Sequence, residues 1–297
     1  MLEAVPNISA ADPTTVAAIR HALETTTNVL DVHTDADHGR SVFTVVADSD
    51  QLADGLYAGA ETAVAAVDLG SHQGAHPRVG VVDVVPIVPL AGASEVIALA
   101  TAHTVASRLA EGLELPVFFY GELSPARHKP AFFRRGGLEA LAKRLGSGEV
   151  VPDAGPDRLH PTAGAALVGV RQPLIAFNVD LEDADLATAR IVARSVRESD
   201  GGLSGVQALG LEFESSGRVQ VSTNIEDWTV TPPHVVVDAI EREARQHGAR
   251  VLGGELVGLL PAGAALAAAA GPLALDRLDP DQVLELRTLA PIAQPEA

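Results

Sequence analysis

The 297-residue chain has no cysteine. That excludes a disulfide framework, thiolate metal sites and a cysteine nucleophile. Aromatic residues are scarce, with seven Phe, two Tyr and one Trp. The core must therefore be built from Val, Leu, Ile and Ala, and the stacking platforms of a single-strand nucleic-acid binder are missing. Basic residues are few, 21 Lys and Arg against 39 Asp and Glu, for a formal net charge of −18. Phosphate backbones need a basic surface, so no nucleic-acid partner is expected. The longest apolar tract, residues 262–275, is Ala-rich, broken by Gly and Pro, and too short to span a bilayer. No membrane partner is expected. Residues 1–6 carry no basic stretch leading into a long apolar core, and a cytoplasmic location is expected. Neither a Gly-x-Gly-x-x-Gly run after a strand, nor a Walker run, nor a Gly-x-Ser-x-Gly elbow occurs, so nucleotide binding and serine hydrolysis lack support.

The densest chemistry lies in Ser71-His72-Gln73-Gly74-Ala75-His76-Pro77-Arg78-Val79-Gly80, just before an apolar run. Neutral imidazole moves protons near pH 7, and a guanidinium fixes a carboxylate through a forked pair of hydrogen bonds. Gly and Pro set an irregular backbone that presents such side chains at the mouth of a strand. This composition suits acid–base chemistry on an acidic small molecule.

Hydrophobic periods of 2 and 3.6 alternate along the chain. Strands are expected at 2–8, 29–34, 41–48, 79–89 and 117–121, with helices at 13–26, 49–67 and 93–113. In order, the core of this half is β-α-β-β-α-β. The second half repeats it, with strands at 174–181, 206–213, 219–224 and 251–257, helices at 185–196 and 232–246, and an Ala-rich helix near 262–270. A short helix is expected after Leu278. Arg78 precedes Pro89, and Arg250 precedes Pro261, by the same spacing, with Asp83 and Glu255 at matching places. The fold class expected is α+β, two tandem ferredoxin-like subdomains with a ligand cleft between them, spanning 1–165 and 166–297. Residues 146–164, rich in Gly, Pro and Asp, read as a long loop of the kind that carries function.

Four of the ten histidines, His33, His38, His72 and His76, fall between positions 33 and 76. His72 and His76 are not on one helical face, because Gly74 and Pro77 disfavour a helix there, and no His-Glu-x-x-His accompanies them. No metal is expected. The alternative is one acid–base His with Arg78 and Arg40 as anion anchors, or plain loop histidines. Asp35, Asp37 and Asp83 add carboxylates near the same region, and Asp37 could orient an imidazole or a substrate amine.

Along His76-Pro77-Arg78-Val79-Gly80-Val81-Val82-Asp83-Val84-Val85-Pro86 the chain closely resembles the glutamate formimidoyltransferase family. The resemblance runs over nearly all 297 residues. It includes Val5-Pro6-Asn7-Ile8-Ser9, Asp37-His38-Gly39-Arg40-Ser41-Val42-Phe43, Tyr120-Gly121-Glu122, Arg134-Arg135-Gly136 and Asp153-Ala154-Gly155-Pro156. It continues through Leu174-Ile175-Ala176-Phe177-Asn178-Val179, Gln220-Val221-Ser222-Thr223-Asn224 and Glu255-Leu256-Val257-Gly258-Leu259.

The resemblance implies two ferredoxin-like subdomains with folate between them, and transfer of a formimidoyl or formyl group between N5 of tetrahydrofolate and L-glutamate. It makes His76 the proton-transfer residue. Arg78, Arg40, Asp37, His38 and Asp83 become substrate-binding residues, and Gly155-Pro156-Asp157-Arg158-Leu159-His160-Pro161-Thr162-Ala163-Gly164 the folate-binding loop. Partners are then reduced folate and glutamate or formimidoylglutamate, and a free-standing transferase half, assembled as a homodimer, is expected. Where the family carries Ser-Glu-Gly-Arg, this chain has Ser9-Ala10-Ala11-Asp12; Gln73 and Val206-Gln207 stand where relatives carry Lys. Two further readings therefore stay open. One is a folate-binding protein of the same fold with altered or lost transfer, and the other a metal-dependent hydrolase built on the histidine cluster.

Overall fold

The computed structural model describes residues 1–72, 77–90, 93–213, 216–270 and 282. The chain divides into two compact units, Met1–Pro173 and Leu174–Ala297.

The first unit holds one mixed sheet. Strands β1 (Leu2–Ala4) and β2 (Asn7–Ile8) are two halves of the strand expected at 2–8. The break falls at Val5-Pro6, because Pro6 has no N–H to give to a ladder. Helix α1 (Pro13–Leu23) starts on Asp12, whose carboxylate accepts the Thr15 N–H at 2.8 Å, with Pro13 in the first turn. Strands β3 (Asn28–Asp35) and β4 (Arg40–Ala47) form a hairpin, followed by α2 (Ser49–Ala66) and β5 (Val82–Pro89). Helix α3 (Glu95–Leu113), capped by Ser94, leads to β6 (Val117–Gly121). Two helices not expected from the sequence follow, α4 (Pro130–Arg134) and α5 (Gly137–Gly146), and then β7 (Ala166–Val170).

The sheet runs β3, β4, β1/β2, β5, β7, β6. Its pairings are antiparallel up to β5, and β7 is parallel to both β5 and β6. One face packs on α1 to α3 through Leu2, Ile19, Phe43, Leu52, Ile87 and Leu109. On the other, Val84, Phe118, Tyr120 and Leu167 join Phe133 of α4 and Leu141 and Leu145 of α5. Covering on both faces explains why β5 and β7 read as unbroken apolar runs. Because β7 lies between β5 and β6, the division falls at Pro173/Leu174, beyond the boundary expected at 165/166.

The second unit is β8 (Ile175–Glu182), α6 (Leu186–Val196), β9 (Val206–Phe213), β10 (Arg218–Ile225), α7 (Pro233–Gln246), β11 (Arg250–Val257) and α8 (Ala262–Ala270). Its antiparallel sheet is ordered β11-β8-β10-β9. The helices cover one face through Val179, Val192, Val221, Val236 and Ile240. The units share details. Asp185 caps α6 by accepting the Thr188 N–H as Asp12 does for Thr15, and Arg218 opens β10 as Arg40 opens β4. The Arg78/Arg250 spacing match does not carry over, since Asp83 is the second residue of β5 and Glu255 the sixth of β11. The helix expected after Leu278 lies outside the described residues.

Residues 146–164 follow α5 without a named strand, and their end is docked. Val81 donates to the Ala163 carbonyl at 2.9 Å, and Ala165 donates to Val79 at 2.9 Å. Gly80 and Gly164 face each other in a β-bridge, where a Cβ on Gly80 would collide with the Ala165 carbonyl. Gly80→Ala should therefore lower stability by about 1–3 kcal/mol. Gly146→Ala, at the end of α5 with open space around it, should raise it by about 0.5–1 kcal/mol. Calorimetric melting of both variants checks the contrast.

Candidate functional site

The turn joining β3 to β4 is built around Asp35. Its carboxylate accepts the His38 N–H at 2.9 Å and bonds His38 Nδ1 at 2.7 Å. His38 is 1% exposed, so it shapes the turn from within. Asp37 sits at the same turn, half-buried. The turn carbonyls point at two side chains from the segment before β5. Arg78 donates to His38 O at 2.9 Å and to Gly39 O at 3.3 Å, and His72 Nε2 donates to Gly39 O at 2.8 Å. His76 lies outside the described residues.

Asp83, 3% exposed, has both carboxylate oxygens engaged. Oδ1 accepts the Val79 N–H at 2.7 Å, and Oδ2 accepts from Arg134 at the end of α4. A buried carboxylate with those partners is a structural anchor. The Arg134 guanidinium completes a set of three with Arg40 and Arg78. Arg40 is the exception among them, since its guanidinium has no hydrogen bond or ion pair among the described residues. Burial first, then the nearby Arg134 charge, pulls Arg40 down to about 10, against the pull of Asp83 and Asp35. It stays cationic at neutral pH. A guanidinium drawn out of water without an acceptor is costly, and an arriving carboxylate relieves that cost. Burial also lowers Arg78, opposed by Asp83. Tyr120 on β6 is pushed up to about 12 by burial, so its phenol is neutral at pH 7.

The loop at 155–164 ends beside this cluster. Gly155, Pro156, Asp157, Arg158 and Leu159 lead out over the surface, with Asp157 and Arg158 exposed and Leu159 packed against the cluster that holds Phe118 and Phe133. His160 and Gly164 exchange backbone hydrogen bonds of 2.8 and 3.0 Å around Pro161, Thr162 and Ala163. His160 Nδ1 accepts the Ala163 N–H at 3.0 Å, and Thr162 O accepts from Leu69 at 2.9 Å. The structure thus joins loop, hairpin turn and Arg78–Asp83 segment within the first unit. Arg134 was visible in the sequence only as part of Arg134-Arg135-Gly136. Pro130, which starts α4, was the local signal that could have placed it on a helix.

Residues 1–171 match the model of the formiminotransferase domain, N-terminal subdomain, and residues 176–274 match that of the formiminotransferase domain. The chain belongs to the formiminotransferase domain family. Among its relatives is the glutamate formimidoyltransferase of Thermoplasma acidophilum, 34% identical over 292 residues, covering 96% of each chain. The glutamate formimidoyltransferase of Streptococcus pyogenes serotype M1 is 34% identical over 260 residues, covering 86% of this chain and 87% of that one. The formimidoyltransferase-cyclodeaminase of Rattus norvegicus is 38% identical over 281 residues, 91% of this chain and 52% of the relative. The chain spans about half the length of the formimidoyltransferase-cyclodeaminases that it matches. The break between the two formiminotransferase matches brackets the division at Pro173/Leu174.

His72 gives a pH signature for the cluster. Burial is the larger cause and Arg78 the second, and both disfavour the imidazolium, so His72 is neutral at pH 7. Its NMR titration midpoint should fall below the ordinary value of about 6.5, and Arg78→Gln should move it upward. A midpoint in Arg78→Gln no higher than in the wild type would refute the placement of Arg78 near the ring.

Proposed function

We propose that this chain transfers the formimidoyl group between N5 of tetrahydrofolate and the amine of L-glutamate, in histidine breakdown and one-carbon metabolism. The observation that carries this reading is the Arg40 guanidinium. It is half-buried and has no hydrogen bond or ion pair among the described residues, at a turn shared with Arg78, in a chain whose net charge is −18 and whose relatives include glutamate formimidoyltransferases over most of their length. A cationic focus on an acidic protein draws anions to one place.

In the forward direction N5 attacks the amidine carbon of formimidoylglutamate, forming the C–N5 bond of a tetrahedral intermediate. N5 gives up its proton. The bond from that carbon to the glutamate nitrogen then breaks, and that nitrogen gains a proton as it departs. One imidazole can carry both proton movements, an effect worth roughly 10²–10⁴-fold. His76 takes that role on the resemblance of its His-Pro-Arg run. Arg40 holds a glutamate carboxylate, Arg78 keeps the turn closed beneath it, and the loop from Gly155 to Gly164 holds the folate with its backbone groups.

The same reading takes both units as ferredoxin-like. The β-α-β-β-α-β order of the second unit, with its last strand beside its first, supports this, as do the shared Asp-capped helices. It also takes the protein as a cytoplasmic homodimer that works on small molecules without a metal, a membrane or nucleic acid.

Incubating the purified protein with tetrahydrofolate and formimidoylglutamate, and following the loaded folate by absorbance, tests the reading. Transfer is expected. Folate binding without transfer would replace it with a storage or carrier role, the reading favoured by Ala10 and Ala11 where the family carries charge. Arg40→Ala should raise KM for formimidoylglutamate by about tenfold or more, the worth of a lost charge-assisted hydrogen bond. His76→Ala should lower kcat by about 10²-fold and leave folate affinity nearly unchanged, because a proton shuttle acts in the transition state. Near-normal turnover in that variant would remove His76 from the mechanism.

A further inference from the structure

Arg134 lies far from the turn in sequence, yet it occupies Asp83, one of the two carboxylates, with Asp35, that act on Arg40. Asp83 is almost wholly buried, and its two oxygens are divided between Val79 N–H and Arg134. The Arg134 side chain is 19% exposed, so this ion pair is largely shielded from water. Both Asp83 and Arg134 act electrostatically on Arg40. Arg78 is committed to the carbonyls of His38 and Gly39. The buried charges are thus apportioned so that one guanidinium remains for a ligand.

We propose that Arg134 and Asp83 are positioning residues for the anion site: Arg134 neutralises Asp83, Asp83 fixes the backbone at Val79, and Arg40 is thereby left to take the substrate carboxylate. This rests on the transferase reading above, with Arg40 as carboxylate anchor. Removing Arg134 alone leaves a buried carboxylate without its cation, a strongly unfavourable state. Asp83 also acts on Arg40 and Arg78; Arg78 is held by the His38 and Gly39 carbonyls, so Asp83 draws Arg40 from the substrate. Removing both charges leaves Arg40 with the field of Asp35, as in the wild type. A merely structural role predicts the opposite order, with the double variant as impaired as the single one or more so.

The test is a double-mutant cycle of Arg134→Met, Asp83→Asn and the pair, read by KM and kcat for formimidoylglutamate, with Arg134→Lys as the conservative control. Arg134→Met should raise KM by about tenfold or more while kcat changes by less than about threefold. Arg134→Lys and the double variant should return KM to within about threefold of wild type. A double variant as impaired as Arg134→Met, or an Arg134→Met KM within about twofold of wild type, overturns the proposal. Should Arg134→Met fail to fold, the double variant decides alone: KM within about threefold of wild type supports the pair, and a rise of about tenfold overturns it. The Arg40 Nε–H resonance gives a readout independent of turnover. It should shift in Arg134→Met and return in the double variant, even if the wild type transfers no formimidoyl group. An inactive wild type with that pattern removes the transferase reading and leaves the charge arrangement, whereas transfer without the pattern removes the arrangement.

Discussion

The first unit depends on how charge is held at the edge of an apolar sheet. Asp83 sits at the start of β5, a strand covered on both faces, and a carboxylate there is tolerable only with full compensation. The backbone at Val79 and the guanidinium at the end of α4 supply it. That requirement ties three distant parts of the chain together. It fixes the segment leading into β5, places α4 and α5 against the outer face of the sheet, and puts Arg78 in reach of the hairpin turn. The turn in turn closes on Asp35 and His38.

Function in this account follows from unequal satisfaction of like groups. Arg78, Arg134 and Arg40 have the same chemistry, but the fold gives the first two acceptors and leaves the third to burial and the field of its neighbours. The loop from Gly155 to Gly164 belongs to the same device. Its end is bonded to Val79 and Val81, so a ligand touching the loop and a ligand touching the arginines meet one backbone segment. Placing the site on strand ends and a tight turn gives it a rigid mount.

Much of the fold was legible in local pattern. The hairpins, the long helices and the Asp-capped starts of α1 and α6 carry their signals within a few residues. The region from 122 to 170 was not. Helix α5 begins on Gly136 and Gly137 and ends on Gly146, which hides its apolar face. Strand β7 is five buried residues with no alternation, so nothing in its sequence separates it from the loop before it. The strand expected from 79 begins at Val82, because Val79 and Val81 pair with the loop end instead. At the site, Arg40, Arg78 and the loop were legible as residue types, but their apportionment was not. Which arginine is bonded and which is not depends on Asp83 and Arg134, 51 positions apart in the chain.

Amide NMR spectra recorded while 5-formyltetrahydrofolate is added test whether the hairpin turn, the Val79 segment and the loop end form one binding surface for a glutamate-bearing reduced folate. Gly39, Val79, Ala163 and Gly164 should shift together with a single saturation curve. Saturable binding that leaves all four amides unmoved would contradict it.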